Sequence, residues 1–576
     1  MSTVPTTEEI AALFDQGELA NEMARNFGLD DEAQIQEVQV RCAELHNSGS
    51  CDLLGLVESG SLQSLTGPDF FTAMHFFCQI LTELEAAPGR MMATVEALVT
   101  HGGNDMAANQ PNAAFRAWCA KNTHHAHEVI AAAHRADDLA SRHLTFALEA
   151  MMAIGEARQF ALAYNDDRRL SAITALGRME DNEAASRSET LTTFNSILNS
   201  EVEADDTLRA IMLASTAAIL ARNSDALLPE AITLVRRLVH NAGDNTLHHA
   251  ARILWKVHRA LQPEVVSCLL EALLSLNPAN KGTVRELDLG LQKLLKIGHD
   301  EAAIAYVTQL LSSVESVLRL EDFDHFAKTL ISDSPERLSR VVVQWLLLGD
   351  RRLCQGLANI LRKRGDLNGR RLELRGEDLG IPPAAQVFIC RKAIGWFFLM
   401  PITAASVLVS VLRVCSGETA QAVKNLLVEP LLLNYGGVRE YLHELAENDP
   451  AKGYVEQALR QNEAYLESLG EIPDIKELQP SEARLSIEQR KVAEQIRDAR
   501  KQAQSQSVLL SLVRKSVLLY GNRSLSYIRD GGNALRPVEM DLKSIGVSFE
   551  MPRIEIVDPI GLDVMLRVFR RERMAS

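Results

Sequence analysis

The densest run of chemically versatile side chains is His124, His125, His127 and His134, with Glu128 among them. Imidazole can ligate a metal or move a proton near neutral pH. On a helix, His124 and Glu128 lie one turn apart, and His127 and His134 lie two turns apart. The zinc-protease pattern H-E-x-x-H requires a second histidine four residues after the first. Here His127-Glu128 is followed by Ala131 at that place, so the pattern fails. A helix face or hairpin turn with exposed histidines is the plainer reading. We therefore assign no catalytic residue, no metal and no cofactor, and an enzyme site at His124–His134 stands as a secondary reading.

The second chemical feature is cationic. Residues 351–375 carry Arg351, Arg352, Arg362, Lys363, Arg364, Arg370, Arg371 and Arg375 against Asp366 and Glu373. Gly365, Asn368 and Gly369 make part of this a loop. Clustered guanidinium groups on an acidic protein are the best candidate for contact with an anion, a phosphate or a partner. No aromatics are interleaved, so base stacking is not indicated. The alternative is salt bridging to acidic neighbours. A further basic stretch, residues 484–515, holds 8 Lys/Arg against 3 Asp/Glu. Arg497, Arg500, Lys501, Arg514 and Lys515 form its secondary surface. The sequence contains no G-x-S-x-G elbow, P-loop or G-x-G-x-x-G fingerprint.

These groups must be held by helices. The chain has 576 residues, with 47% apolar and 5% aromatic content. That length exceeds one compact core unless the fold is elongated. Between Asp206 and Ser313 three helical hairpins follow one another. Their first helices open at Thr207, Thr246 and Thr283, which we expect to act as N-caps. Their second helices start near Pro229, Pro263 and Asp300. Leu247, Ala251 and Leu254 share a face, as do Val284, Leu287, Leu291 and Leu294. Leu208, Met212 and Ile219 share another, with Ser215 as a polar blemish. In the second helices, Ile232, Val235 and Leu238 align with Val266, Leu269 and Ala272.

A quasi-period near 37 residues, with two helices per period, resembles HEAT and armadillo repeat proteins. The resemblance rests on period and helix pairing over about a fifth of the chain. It implies a mostly α fold, an α-solenoid whose extended surface binds other proteins. We expect an irregular acidic helical region over 1–205, repeats over 206–470, a linker and long basic helix over 471–523, and a small β-containing module over 524–576. The array continues through Asp322–Ile331 and Pro335–Leu348.

Three stretches stand apart. Residues 393–412 are uncharged and long enough to span a bilayer. Pro401 at their middle argues instead for two buried helices meeting at Met400-Pro401. Ser481–Ser507 reads as a polar helix with Leu485, Val492 and Ile496 as a thin apolar seam, able to pair as a coiled coil or hold a partner. It joins an apolar helix expected over Val508–Tyr520. Ser524–Ile528, Val538–Leu542, Val547–Met551 and Ile554–Val557 read as strands, and Gly561–Arg571 as a terminal amphipathic helix.

The net charge is −16. Residues 1–100 hold 16 Asp/Glu against 3 Lys/Arg, and residues 501–576 hold 12 Lys/Arg against 8 Asp/Glu. Opposed ends invite self-association. The N-terminus shows no secretory signal, and scattered cysteines without C-x-x-C pairs suit reduced thiols and a cytoplasmic location. The reading that follows is a non-catalytic helical-repeat scaffold binding a protein partner, in the manner of a subunit of a bacterial complex. The alternative is a nucleic-acid-binding repeat protein that uses the 351–375 loop and the 484–515 helix.

Overall fold

The computed structural model describes residues 4–103, 109–200, 205–222, 228–258, 261–313, 317–362, 369–445, 447–471, 481–505, 513–519, 523–529, 535–541 and 552–574. Two compact units divide the chain, Met1–Asp333 and Ser334–Ser576.

The first unit is helical. Its elements are α1 (Thr7–Asp15), α2 (Leu19–Ala24), α3 (Glu32–Asn47), α4 (Gly55–Glu58), α5 (Pro68–Leu81), α6 (Pro88–Gly102), α7 (Gln110–Lys121), α8 (Thr123–His134), α9 (Asp138–Met151) and α10 (Ile154–Ala163). They continue as α11 (Asp167–Arg178), α12 (Ala184–Ser200), α13 (Asp206–Arg222), α14 (Leu228–Val239), α15 (Asp244–Lys256), α16 (Pro263–Leu273), α17 (Lys281–Lys296), α18 (Asp300–Ser312) and α19 (Asp324–Ser332). Odd helices pack on odd ones, each on the next but one, from α1 through α19. Even helices do the same from α10 through α18. The expected apolar stripes are what they bury: Leu247, Ala251 and Leu254 of α15, and Val284, Leu287, Leu291 and Leu294 of α17, are all in the core.

The threonines do not cap as expected. Thr246 and Thr283 lie inside the first turns of α15 and α17. Asp206, in the first turn of α13, performs the capping of α15. Its carboxylate accepts from the N–H of Gly243 at 2.9 Å and of Asn245 at 2.8 Å, and from the Thr246 hydroxyl at 2.6 Å. The aspartate two helices earlier thus satisfies donors that a local side chain ordinarily takes. Ser215 is no blemish. It is buried and donates to the Ile173 carbonyl at 2.9 Å. It faces Gly177, where a Cβ would fall 2.5 Å from its Oγ. The glycine is what lets α11 and α13 approach so closely.

The second unit begins with α20 (Pro335–Leu348), α21 (Arg351–Leu361), α22 (Pro383–Phe397), α23 (Pro401–Leu412), α24 (Gly417–Leu426), α25 (Gly436–His443) and α26 (Lys452–Gly470). Ser334 and Asp350 cap α20 and α21. The uncharged stretch 393–412 folds as two buried helices that break before Pro401, as expected from the missing proline N–H. No helix among the described residues is long and apolar enough to cross a membrane.

After α26 come α27 (Glu482–Ser505), the strands β1 (Val513–Leu519), β2 (Arg523–Arg529) and β3 (Leu535–Asp541), then α28 (Arg553–Val557) and α29 (Pro559–Arg571). The strands form one antiparallel sheet in the order β1-β2-β3. Two expectations fail here. The helix over Val508–Tyr520 is overturned by β1, which pairs with β2 from Val513↔Ile528 to Leu519↔Arg523. A short apolar run cannot be assigned by periodicity alone, and the adjacent strand decides it. The strand over Ile554–Val557 is instead the short helix α28. Its flanks, Pro552 and Pro559, remove the N–H donors a ladder needs, and the Ile554 N–H goes to Asn434 Oδ1 at 2.7 Å. Val547–Met551 lies outside the described residues.

Candidate functional site

The basic stretch resolves into three parts. Arg362 is exposed just past the end of α21. Lys363 and Arg364 lie outside the described residues. From Gly369 to Arg375 the chain runs along α23, with Leu372 and Leu374 buried and Arg370, Arg371 and Glu373 exposed.

What holds this segment is a row of hydroxyls on one face of α23. The Thr403 hydroxyl donates to the Arg370 carbonyl at 2.7 Å. The Leu372 N–H donates to Ser406 Oγ at 2.9 Å, and the Leu374 N–H to Ser410 Oγ at 3.1 Å. These hydroxyls are spaced i, i+3, i+7, so they line one edge of the helix. Ser406 and Ser410 spend their own protons on the carbonyls of Thr403 and Ser406, both at 2.8 Å. Each hydroxyl therefore keeps a lone pair for the segment's amide. The Arg375 N–H ends the row on Ser339 Oγ of α20 at 2.9 Å. The small polar residues within the uncharged stretch thus serve the amides and a carbonyl of residues 370–374, whose Leu372 and Leu374 are buried.

The guanidinium groups have partners nearby. Arg371 pairs with Glu444 and lies over the Tyr441 ring at 5.0 Å. Arg375 pairs with Glu377. Burial pushes the Tyr441 phenol up. Below it, Arg413 grips Asp449 through Nη2 at 2.9 Å. Burial works to raise the Asp449 carboxyl, but Arg413 and the Ala451 N–H hold it below the ordinary aspartate value of 3.8.

The C-terminal segment returns to this platform. Lys392 of α22 is fully buried, and its Nζ donates to the carbonyls of Arg570 at 2.9 Å and Glu572 at 2.6 Å. It closes the carbonyl end of α29, where a cation suits the helix dipole. Burial pushes its ammonium down. Arg391 pairs with Glu572 at 2.9 Å, and Arg573 donates to the Gly349 carbonyl at 2.6 Å.

The secondary basic residues separate. Arg497, Arg500 and Lys501 lie exposed on α27, while Arg514 and Lys515 belong to β1 rather than to a helix.

The histidine run is dispersed. His124 pairs with Glu128 at 3.0 Å. His125 stacks flat on Trp118, with ring centroids 4.1 Å apart, and burial lowers its basicity. His127 is exposed. His134, at the far end of α8, stacks on Phe160 at 4.1 Å and bonds to the Tyr164 hydroxyl at 3.0 Å, with Glu156 at 3.5 Å. Histidine spacing within one helix did not indicate that trio, because Glu156, Phe160 and Tyr164 come from the next hairpin. No group of three or more His, Cys, Asp or Glu among the described residues is placed to hold a metal ion.

No protein-family model matches this sequence, and no curated protein is significantly similar to it.

Proposed function

We propose that this chain is an α-solenoid of HEAT-like hairpins acting as a non-catalytic scaffold, and that it binds a protein partner through its extended surface. The observation that carries the reading is the packing of each odd helix of the first unit on the next odd helix, from α1 to α19. Repetition of that kind builds long helix faces and concentrates no chemistry in one cleft. The engagement of Arg371 and Arg375 by Glu444 and Glu377 favours protein binding over nucleic-acid binding by the 369–375 segment. A chain at −16 also repels a polyanion.

The test is purification of the full-length chain from its native cells. We expect a stoichiometric protein partner that stays bound at high salt and rebinds when mixed as a purified component. Co-purifying nucleic acid that is released steeply by salt and abolished by R370E and R371E overturns the reading.

A further inference from the structure

We propose that one water molecule is a fixed part of the fold between α10, α11, α12 and α13, hydrogen-bonded to Arg187 and Asp181. Arg187 of α12 is 7% exposed, and its Nε is buried with no hydrogen-bond partner among the described residues. The Oδ2 of Asp181, in the turn between α11 and α12, is buried and unmet as well. Buried polar atoms are rarely left so, because nothing then replaces the hydration they lose.

The two side chains are already held in place, each by a different atom. Arg187 Nη1 donates to the Asp181 backbone carbonyl at 2.8 Å. That bond ties the guanidinium to the main chain and not to the carboxylate. Asp181 Oδ1 accepts from the Glu183 N–H at 3.0 Å. One donor and one acceptor are left over.

Both residues line the same cavity, whose volume is about 10 Å³. That is the space of one water-sized sphere. Ile154, Leu176, Met179 and Ile219 form its apolar wall, and Thr190 and Arg222 complete its polar side.

The chemistry of the leftover atoms selects the occupant. It must accept from Arg187 Nε and donate to Asp181 Oδ2. An anion would face the Asp181 carboxylate, and a metal cation would face two guanidinium groups. A neutral molecule that both donates and accepts meets each demand, and at this size that molecule is water. Thr190 offers the third bond. Its hydroxyl accepts from Arg158 Nε at 3.1 Å and donates to the Ser186 carbonyl at 3.2 Å, which leaves one lone pair. Three hydrogen bonds are the usual complement of a buried water. Arg222 does not compete, since its Nη1 and Nη2 donate to the carbonyls of Arg178 and Gly177. The water adds a second link between α12 and the turn before it, beside the bond from Arg187 to the Asp181 carbonyl. This inference does not depend on the scaffold reading.

A crystal structure of the full-length protein, at a resolution that shows ordered water, tests it. We expect one peak within hydrogen-bond distance of Arg187 Nε and Asp181 Oδ2, with no anomalous signal after a bromide soak. In solution, oxygen-17 relaxation dispersion should count one more long-lived water in the wild type than in Arg187→Met. Thermal unfolding of that variant is the folding control, and the wild-type crystal decides the matter if the variant does not fold. A dry cavity, a direct bond from Arg187 Nε to Asp181 Oδ2, or bromide at the site overturns the proposal. An equal count of long-lived waters in wild type and folded variant does so too.

Discussion

Residues 206–333 and residues 369–412 both place polar side chains inside apolar helix faces, and they use them differently. In the first region the polar group of one helix serves the start of a helix further on. Asp206 does this for α15, and Asp288 of α17 does it for α19. Asp288 is 4% exposed and accepts from the N–H groups of His325 at 3.0 Å and Phe326 at 2.8 Å. In the second region Thr403, Ser406 and Ser410 serve the non-helical segment 370–374. A helix whose polar face is taken by the next helix start propagates a stack. A helix whose polar face is taken by a non-helical segment fixes that segment, while next-but-one stacking continues, α20 on α22, α22 on α24 and α24 on α26. The difference lies in what the buried polar groups serve, a helix start in one region and a non-helical segment in the other.

Removing Asp288 attacks the first region at its most buried link and should give the largest effect. Asp288→Ala leaves two N–H groups at the start of α19 without their acceptor. We expect a loss of about 3 kcal/mol, read in chemical unfolding and in faster hydrogen exchange at His325 and Phe326. Asp288→Asn, which keeps one acceptor oxygen, should recover part of it. A change below about 0.5 kcal/mol, the range of ordinary surface substitutions, breaks the comparison, because the inter-helix link would then be incidental.

Ser406→Ala probes the second region. It strands the buried Leu372 N–H and removes one hydroxyl from the row. The expected cost is about 1.5 kcal/mol, confined to the second unit. Exchange at Leu372 should rise about tenfold, the equivalent of 1.4 kcal/mol, while α13–α19 keep their protection. If protection falls in α13–α19 as well, the two regions are not separate devices.

The mostly helical fold was legible in the sequence because burial imposes a 3.6-residue rhythm on Leu, Ile and Val. The break at Pro401 was legible because proline lacks a donor whatever surrounds it. The capping was not. Asp206 acts on residues 37 to 40 positions away, and local spacing carries no signal for that. Thr246, the apparent cap, is a donor to Asp206. The role of Ser406 and Ser410 was hidden for the same reason, since their partners lie 34 and 36 residues earlier. The candidate site was legible as a cluster of arginines. Glu444, which engages one of them, lies 73 residues from Arg371. β1 was missed because its identity depends on β2.

The smallest expected effect is the most discriminating, because it looks for the helix-to-helix device inside the second unit. Asp449 accepts from Ala451 N–H at 2.9 Å in the turn before α26, and it holds Arg413 at the end of α23. Its carboxyl titrates below 3.8 in the folded state. A carboxylate depressed on folding stabilises the fold above its unfolded value and loses that contribution as pH falls through the folded value. The wild type should therefore lose stability below pH 3.8, by less than about 1 kcal/mol from this pair. Asp449→Asn should be weaker at neutral pH and lack that part of the acid loss. High salt should weaken this link less than it weakens the exposed Arg371–Glu444 pair, because screening acts mainly on exposed charges. If Asp449→Asn leaves the acid profile unchanged, the second unit joins α23 to α26 by apolar packing. Carboxylates that cap the start of a later helix would then distinguish the first region from the second.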